Sequence, residues 1–284
     1  MGNKNYIITD CVSDLPKEYI DENNIGVIRF YLYLDSGRFM DGYEISVTNV
    51  IEHYEEVQTK IISKPPTAKE HAEIYKNILK EYDNIIHFTI SSDTSVSYEQ
   101  SVLGKELLGL DADRVTIIDT KTLSSGMALL IYKAVEMNKN GASVDEIVKA
   151  CEELIPKTDV SFVAKNADYL AINERVSLSV ARFLRFFKMR PVFYMKNGKL
   201  SIARFALGNG YIKRYIKGKL RKNDKIDTSK VFITYAGCNM KDVKRIAEEV
   251  KKICPFKEVI ICNTSATVAC NCGAGTYGII FMYK

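Results

Sequence analysis

Three histidines in 284 residues leave little material for imidazole chemistry. His53 and His71 fall in helical patterns and His87 in a strand, placements that suit structural or exposed roles better than general acid–base work. The seven cysteines are an odd number, and none lies in a Cys-x-x-Cys pair. The nearest two, Cys270 and Cys272, have no histidine beside them to complete a zinc set. They read as reduced, mostly buried thiols, and neither a metal site nor a cofactor is expected. There is no Gly-x-Gly-x-x-Gly after the first strand, no Walker-type Gly-x-x-x-x-Gly-Lys, no Gly-x-Ser-x-Gly elbow and no His-Glu-x-x-His. The longest apolar stretches, such as Met127 to Ile131, fall far short of the roughly 20 residues that span a bilayer, and no charged-then-apolar leader opens the chain. Together these absences predict a globular, cytoplasmic protein without a transmembrane segment.

What is present is enough for a full core. With 46% hydrophobic and 26% charged residues, the chain is long enough for two ordinary domains. The net charge of +5 is mild but uneven, since Tyr211 to Lys230 holds eight Lys or Arg against two Asp. Such a run reads as a solvated helix face, or else as a contact surface for something acidic.

The first half alternates strands and helices. Asn5–Asp10, Gly26–Leu34, Asn84–Ile90 and Arg114–Asp119 are short and rich in Ile, Val and aromatics, as buried strands are. After Thr67, a helix places Ile74, Tyr75, Ile78, Leu79 and Tyr82 on one face, and Thr67 with Glu70 makes a capping box. Further helices begin near Ser124 and after Ser143. This alternation predicts a parallel sheet covered by helices on both faces, with sites at the carboxyl ends of its strands.

From about Asp159 the pattern changes. Strands are expected over 159–165, 190–206, 230–237, 258–264 and 277–283, and helices over Val176–Phe187, Tyr211–Arg221 and Met240–Ile253. Asn197-Gly198 between extended apolar runs signals a hairpin, so this half should contain antiparallel pairing. The expected architecture is α/β, with an N-terminal domain over residues 1–155 and a C-terminal α/β domain with antiparallel strands over 156–284, the boundary falling between Glu152 and Asp159.

Candidate chemistry concentrates at strand-to-helix junctions. Six hydroxyl residues fall between Thr89 and Ser97, directly before a helical pattern. A helix start presents unpaired amides and partial positive charge, and nearby hydroxyls can add hydrogen bonds to a carboxylate or phosphate. Ser and Thr are also ordinary N-cap residues, but five in seven positions exceeds that need. Ser63 to Thr67, "SKPPT", is a second such junction. Asp10 and Asp14 form a carboxylate pair after the first strand, with turn formation and helix capping as their plainer role.

At this point the segments "IITDCVSDLP", "MDGYEIS", "SKPP", "ISSDTSVSYEQS", "VTIIDTKTLSSG", "YLAINERVS", "RPVF" and "CNCGAGTYGIIF" resemble those of the DegV family. They run in that family's order from Tyr6 to Phe281. The resemblance implies a two-domain α/β protein that does no chemistry of its own and holds one long-chain fatty acid between its domains. The tail would be buried and the carboxylate would lie near the Ser/Thr-rich segments. It further implies a fatty acid kinase as partner in bacteria, and no nucleic acid. Carried over position by position, Ser63 matches a head-group serine, Ser95 another, and Ser97 the threonine beside it. Arg175 matches an arginine that follows paired glycines, and Asn271 falls where the family commonly has a histidine. The chain departs from the pattern at Ile62, in place of a threonine hydroxyl, and at Val96, in place of a glycine. Asn173-Glu174 replaces the paired glycines and Ala274 a proline.

Two other readings stay open on sequence grounds. One is an enzyme related to sugar or dihydroxyacetone phosphotransferases, using Asp10, Asp14 and the Ser-rich turn on a small polar substrate; it would need a reactive histidine or bound nucleotide. The other is an adaptor that binds an acidic partner through Lys213 to Lys225.

Overall fold

A computed structural model describes residues 4–165, 167–172, 177–208, 210–221 and 224–284. The first half runs β1 (Asn5–Asp10), α1 (Lys17–Glu22), β2 (Gly26–Ile28), β3 (Tyr31–Leu34), β4 (Gly37–Met40), α2 (Val47–Val57), β5 (Ile62–Lys64) and α3 (Ala68–Ile78). It continues with β6 (Asn84–Thr89), α4 (Ser97–Glu106), β7 (Val115–Asp119), α5 (Ser125–Lys139) and α6 (Val144–Leu154). Next come β8 (Thr158–Val163), α7 (Ala167–Ile172), α8 (Leu178–Phe186), β9 (Met189–Lys196), β10 (Lys199–Leu207) and α9 (Tyr211–Leu220). The chain closes with β11 (Lys230–Ala236), α10 (Met240–Ile253), β12 (Glu258–Asn263), α11 (Ala266–Cys272) and β13 (Thr276–Met282).

β2, β1, β6 and β7 form the expected parallel sheet, in that order. Its strands bury both faces, which is why they read as continuous apolar runs. Ile8, Ile85 and Val115 pack with Ala72 and Tyr75 of α3, while Ile7, Ile86, Phe88 and Ile118 pack with Met127 to Ile131 of α5. Successive residues thus face opposite sides, and helices cover both. Two capping boxes, Thr67 with Glu70 and Ser143 with Glu146, start α3 and α6 as their sequences predict.

The second sheet has six strands in the order β10-β9-β8-β13-β11-β12. Its pairs are antiparallel except β11 with β12. The Asn197-Gly198 hairpin forms as expected, with φ of 49° and 81° at the two turn residues. Positive φ at both positions matches the right-handed twist of the paired strands and favours this dipeptide.

One expectation needs correction. The stretch Gly26–Leu34 is two strands rather than one: β2 joins the parallel sheet, while β3 pairs antiparallel with β4 and β5 in a separate three-stranded sheet. Arg29 lies at the break and donates to the Asp41 carbonyl at 2.8 Å.

α5 is the joint of the molecule. It is apolar around most of its circumference, as a helix buried between layers must be. One side meets the parallel sheet, and the other meets Val160, Phe232 and Ile280 of the six-stranded sheet in the same cluster. The packing is tight at Gly126, where an added Cβ would collide with Thr122 and Val160. Gly126→Ala is expected to lower unfolding stability by about 1–3 kcal/mol through overpacking. Urea denaturation followed by circular dichroism measures it, and an unshifted midpoint would contradict this packing.

Candidate functional site

An open cavity of about 1130 Å³ lies between the two halves of the core. Val12, Phe30, Ile90 and Leu123 wall it from the parallel-sheet side; Val160, Phe162, Phe193 and Ile280 wall it from the six-stranded sheet. Ile62, Ser63, Ser95, Val96 and Asn271, five of the residues singled out from sequence, all line this one cavity. They come from three places in the chain: β5, the loop before α4, and α11.

The 91–95 loop is fixed by its own hydroxyls. Ser91 donates to the Gly198 carbonyl at 2.7 Å, tying the loop to the hairpin tip. Gly198 is needed there twice over, for its positive φ and because a Cβ would meet Asp93 at 2.5 Å. Thr94 donates back to the Ser91 carbonyl at 2.9 Å. Lys121 donates to Ser92 at 2.8 Å and pairs with Asp119 at 2.8 Å and Asp93 at 3.3 Å. Burial alone would raise the Asp119 carboxyl, but hydrogen bonds from Lys121 and Ser92 hold it below its ordinary range.

Ser95 accepts the Ser97 amide at 3.2 Å, and its side chain remains partly open at the cavity wall. Ser97 is different from the expectation. It is fully buried and is not among the cavity-lining residues; it shares a face of α4 with Ser101 and Gly104, and Gly104 packs closely on His71 and Ala72 of α3. Spacings of four and three put those residues on one helix face. Arg175, with Asn173 and Glu174, lies outside the described residues. Ile62 and Val96 are 47% and 55% exposed at the rim, so the two substituted positions put apolar surface where hydroxyl or bare backbone was expected.

The first-strand carboxylates do not face the cavity. Asp10 accepts the Ile90 amide at 2.9 Å and lies 3.3 Å from Nε2 of His87, whose Nδ1 bonds Tyr75 at 2.8 Å. Asp14 accepts a short hydrogen bond from Ser124 and the Ser265 amide at 2.7 Å. It therefore caps a helix, but α11 at the far end of the chain rather than α1 beside it. Asp41, which sequence reasoning left without a role, accepts the next two amides of the same helix, Ala266 at 3.0 Å and Thr267 at 2.8 Å. Its only local trace was its place within "MDGYEIS".

No histidine lines the cavity. His71 donates from Nδ1 to the Thr67 carbonyl at 3.1 Å, and burial, aided by His87, lowers it to about 4. It is neutral near pH 7. Among the described residues no group of three or more His, Cys, Asp or Glu could hold a metal, and all seven cysteines are free thiols. Within the basic run, Lys219 is buried against Asp159, whereas Lys213 is exposed and pairs with Glu249 at 3.5 Å at the surface. Among the described residues no helix is long and apolar enough to cross a membrane.

Fold and site thus define an α/β protein with a large cavity of mixed apolar and hydroxyl-bearing lining. The model of the DegV family, a family of uncharacterised proteins, matches residues 4–284. The chain belongs to the DegV family. DegV domain-containing proteins of Clostridium perfringens and Staphylococcus aureus are each 26% identical to it, over 97% of this chain and 96% of the first, and 99% of this chain and of the second. Among solved structures, a DegV family protein from Thermus thermophilus, reported as fatty acid binding, superposes with a TM-score of 0.83 at 23% identity, covering 99% of this chain and 100% of that one. A Eubacterium eligens DegV family protein loaded with heptadecanoic acid gives 0.85 at 17% identity over the same shares. The Streptococcus pneumoniae fatty acid kinase B3 protein, loaded with linoleic acid, gives 0.84 at 18% identity, again over the same shares.

Asp14 also sets a pH dependence. Burial pushes its carboxyl from 3.8 up to about 7, against the opposing hydrogen bonds from Ser124 and Ser265. Because the folded-state value is the raised one, the Asp14 contribution to stability is complete at acid pH and is lost as pH rises from about 4 through about 7, with a slope of up to about 1.4 kcal/mol per unit. Asp14→Asn keeps an acceptor for Ser265 and removes this slope. Chemical denaturation of both proteins from about pH 4 to 8 tests this, and parallel profiles would contradict it.

Proposed function

We propose that this protein binds one long-chain fatty acid in the cavity, carries out no chemistry on it, and presents it to a fatty acid kinase inside the cell. The tail lies among Val12, Phe30, Leu123, Val160 and Ile280, and the carboxylate meets the hydroxyls of Ser63 and Ser95, with Asn271 and Arg175 as further polar groups of the head-group site. Residues 1–155 and 156–284 act as the two domains that enclose the ligand. The observation that carries this reading is the convergence of Ser63, Ser95 and Asn271 on a cavity walled largely by aliphatic and aromatic side chains, whose volume exceeds the usual small-ligand range. The fatty acids held by similarly folded proteins support it.

Magnitudes assign the roles. Burying about a dozen methylenes at roughly 0.8 kcal/mol each gives a gross term near 10 kcal/mol. Hydrogen bonds to a charged head group contribute about 1.5–3 kcal/mol each and must first offset desolvation. The tail sets affinity and the hydroxyls set orientation. The phosphotransferase alternative gains nothing from the geometry, since Asp10 and Asp14 are bonded away from the cavity and no histidine lines it; of the basic run, Lys219 is buried against Asp159.

The double variant Ser63→Ala, Ser95→Ala is expected to weaken fatty acid binding by about 1 kcal/mol, some fivefold, with its thermal unfolding midpoint unchanged. Displacement of a fluorescent fatty acid reads it, and unchanged affinity would move the carboxylate elsewhere. Ile62→Thr, which restores a hydroxyl at the rim, is expected to tighten binding of the acid but not of the matching fatty alcohol. Equal gains for both would argue against a carboxylate at this rim.

A further inference from the structure

The residues gathered at the proposed head group are neutral. Ser63 and Ser95 offer hydroxyls, and Asn271 donates from Nδ2 to the Thr267 carbonyl at 2.8 Å. Taking a carboxylate out of water against neutral donors alone is costly, and an ammonium beside it offsets part of that cost. Among the described residues that line the cavity, three carry a positive charge: Lys60, Lys64 and Lys199. Lys64 is turned away. In the register of β3 with β5, Ser63 lies opposite the buried Leu32 and Lys64 opposite Tyr31, on the other face of that sheet. The Lys64 ammonium sits 5.3 Å from the centre of the Tyr33 ring. Lys60 precedes β5.

Lys199 is carried to the Ser95 loop by the hairpin. Ser91 donates to the carbonyl of Gly198, the residue before it, and Asp93 packs against the same turn. Lys199 then lines the cavity together with Asp93, Thr94 and Ser95. Its ammonium is only loosely held. It lies 3.9 Å from Asp93, at the limit of an ion pair, and its side chain is 75% exposed. Asp93 has a nearer partner in Lys121 at 3.3 Å, and Lys121 in turn is anchored by Asp119 and Ser92 and is not among the lining residues.

We infer that Lys199 is the cation of the head-group site, and that the ligand carboxylate replaces Asp93 as its partner. The inference rests on the fatty acid reading above and adds a residue to its site. A lysine ammonium on its flexible four-carbon stem can move from one carboxylate to another without any change in the backbone. Asp93 keeps Lys121 when Lys199 leaves, so the exchange strands no charge. The head group then meets Ser63 and Ser95 from the first half of the chain and Lys199 from the second. Asp93 itself is a like charge near the arriving carboxylate and opposes its binding.

The test is competition of hexadecanoic acid and hexadecan-1-ol against a fluorescent fatty acid on the full-length protein, at about pH 8 where a free carboxylic acid is ionised. Lys199→Gln should weaken the acid about threefold, the size of an exposed ion pair, and leave the alcohol unchanged. Lys199→Arg should keep the wild-type affinity for the acid. Asp93→Asn, which removes the competing charge, should tighten the acid about twofold and leave the alcohol unchanged. Raising NaCl from about 0.02 M to about 0.5 M should erase most of the difference between wild type and Lys199→Gln. Equal losses for acid and alcohol in Lys199→Gln would make Lys199 a structural tie of the hairpin and overturn the inference. Unchanged acid affinity in that variant, or an acid-specific loss found in Lys60→Gln instead, would overturn it too. A weakened acid in Asp93→Asn would overturn the exchange. In each of these cases the fatty acid reading stands, whereas a wild type that binds neither ligand overturns both.

Discussion

The structure depends on two buried carboxylates holding the start of a short helix near the other end of the chain. Asp14 and Asp41 accept three consecutive amides, from Ser265, Ala266 and Thr267, across more than 220 residues of sequence. A helix start leaves its first amides unpaired, and a buried carboxylate without donors is costly, so each group needs the other. This bond set fixes α11 against the loops of the first half. α11 then packs with Leu32, Val50 and Ile61 and supplies Thr267, Val268, Asn271 and Cys272 to the cavity wall. Without it, the cavity would have no fourth side.

α5 contributes the complementary constraint. Where the carboxylates bind loops to a helix, α5 fills the space between two sheets with apolar side chains on nearly every face. The cavity is the part of that interlayer space that α5 does not fill. Its lining combines lysines and hydroxyls with aromatic and aliphatic side chains. A lining of that mixture suits a single-ended amphiphile.

Local signals in the sequence carried most of the fold. Continuous apolar runs marked β1, β6 and β7, the capping boxes marked α3 and α6, and Asn197-Gly198 marked the hairpin, because each depends on neighbours a few residues away. The run Gly26–Leu34 misled because two short strands in different sheets leave the same apolar string as one long strand. α7 and α11 were missed: they are only six and seven residues long, and the start of α11 is held by carboxylates from the far end of the chain. The hydroxyl-rich junction was legible as a site but over-read in detail. Ser91, Thr94 and Ser97 serve loop ties and helix packing, which leaves Ser95 as the residue of that junction that both lines the cavity and matches a head-group position. No local pattern separates a hydroxyl aimed at a ligand from one aimed at a neighbouring carbonyl.

The central claim is that the interlayer cavity exists to hold one acyl chain. Native mass spectrometry of the full-length protein, before and after denaturation, measures this directly. The account predicts one bound species per chain that is released as a fatty acid. A bare chain that also takes up no added long-chain fatty acid would contradict it.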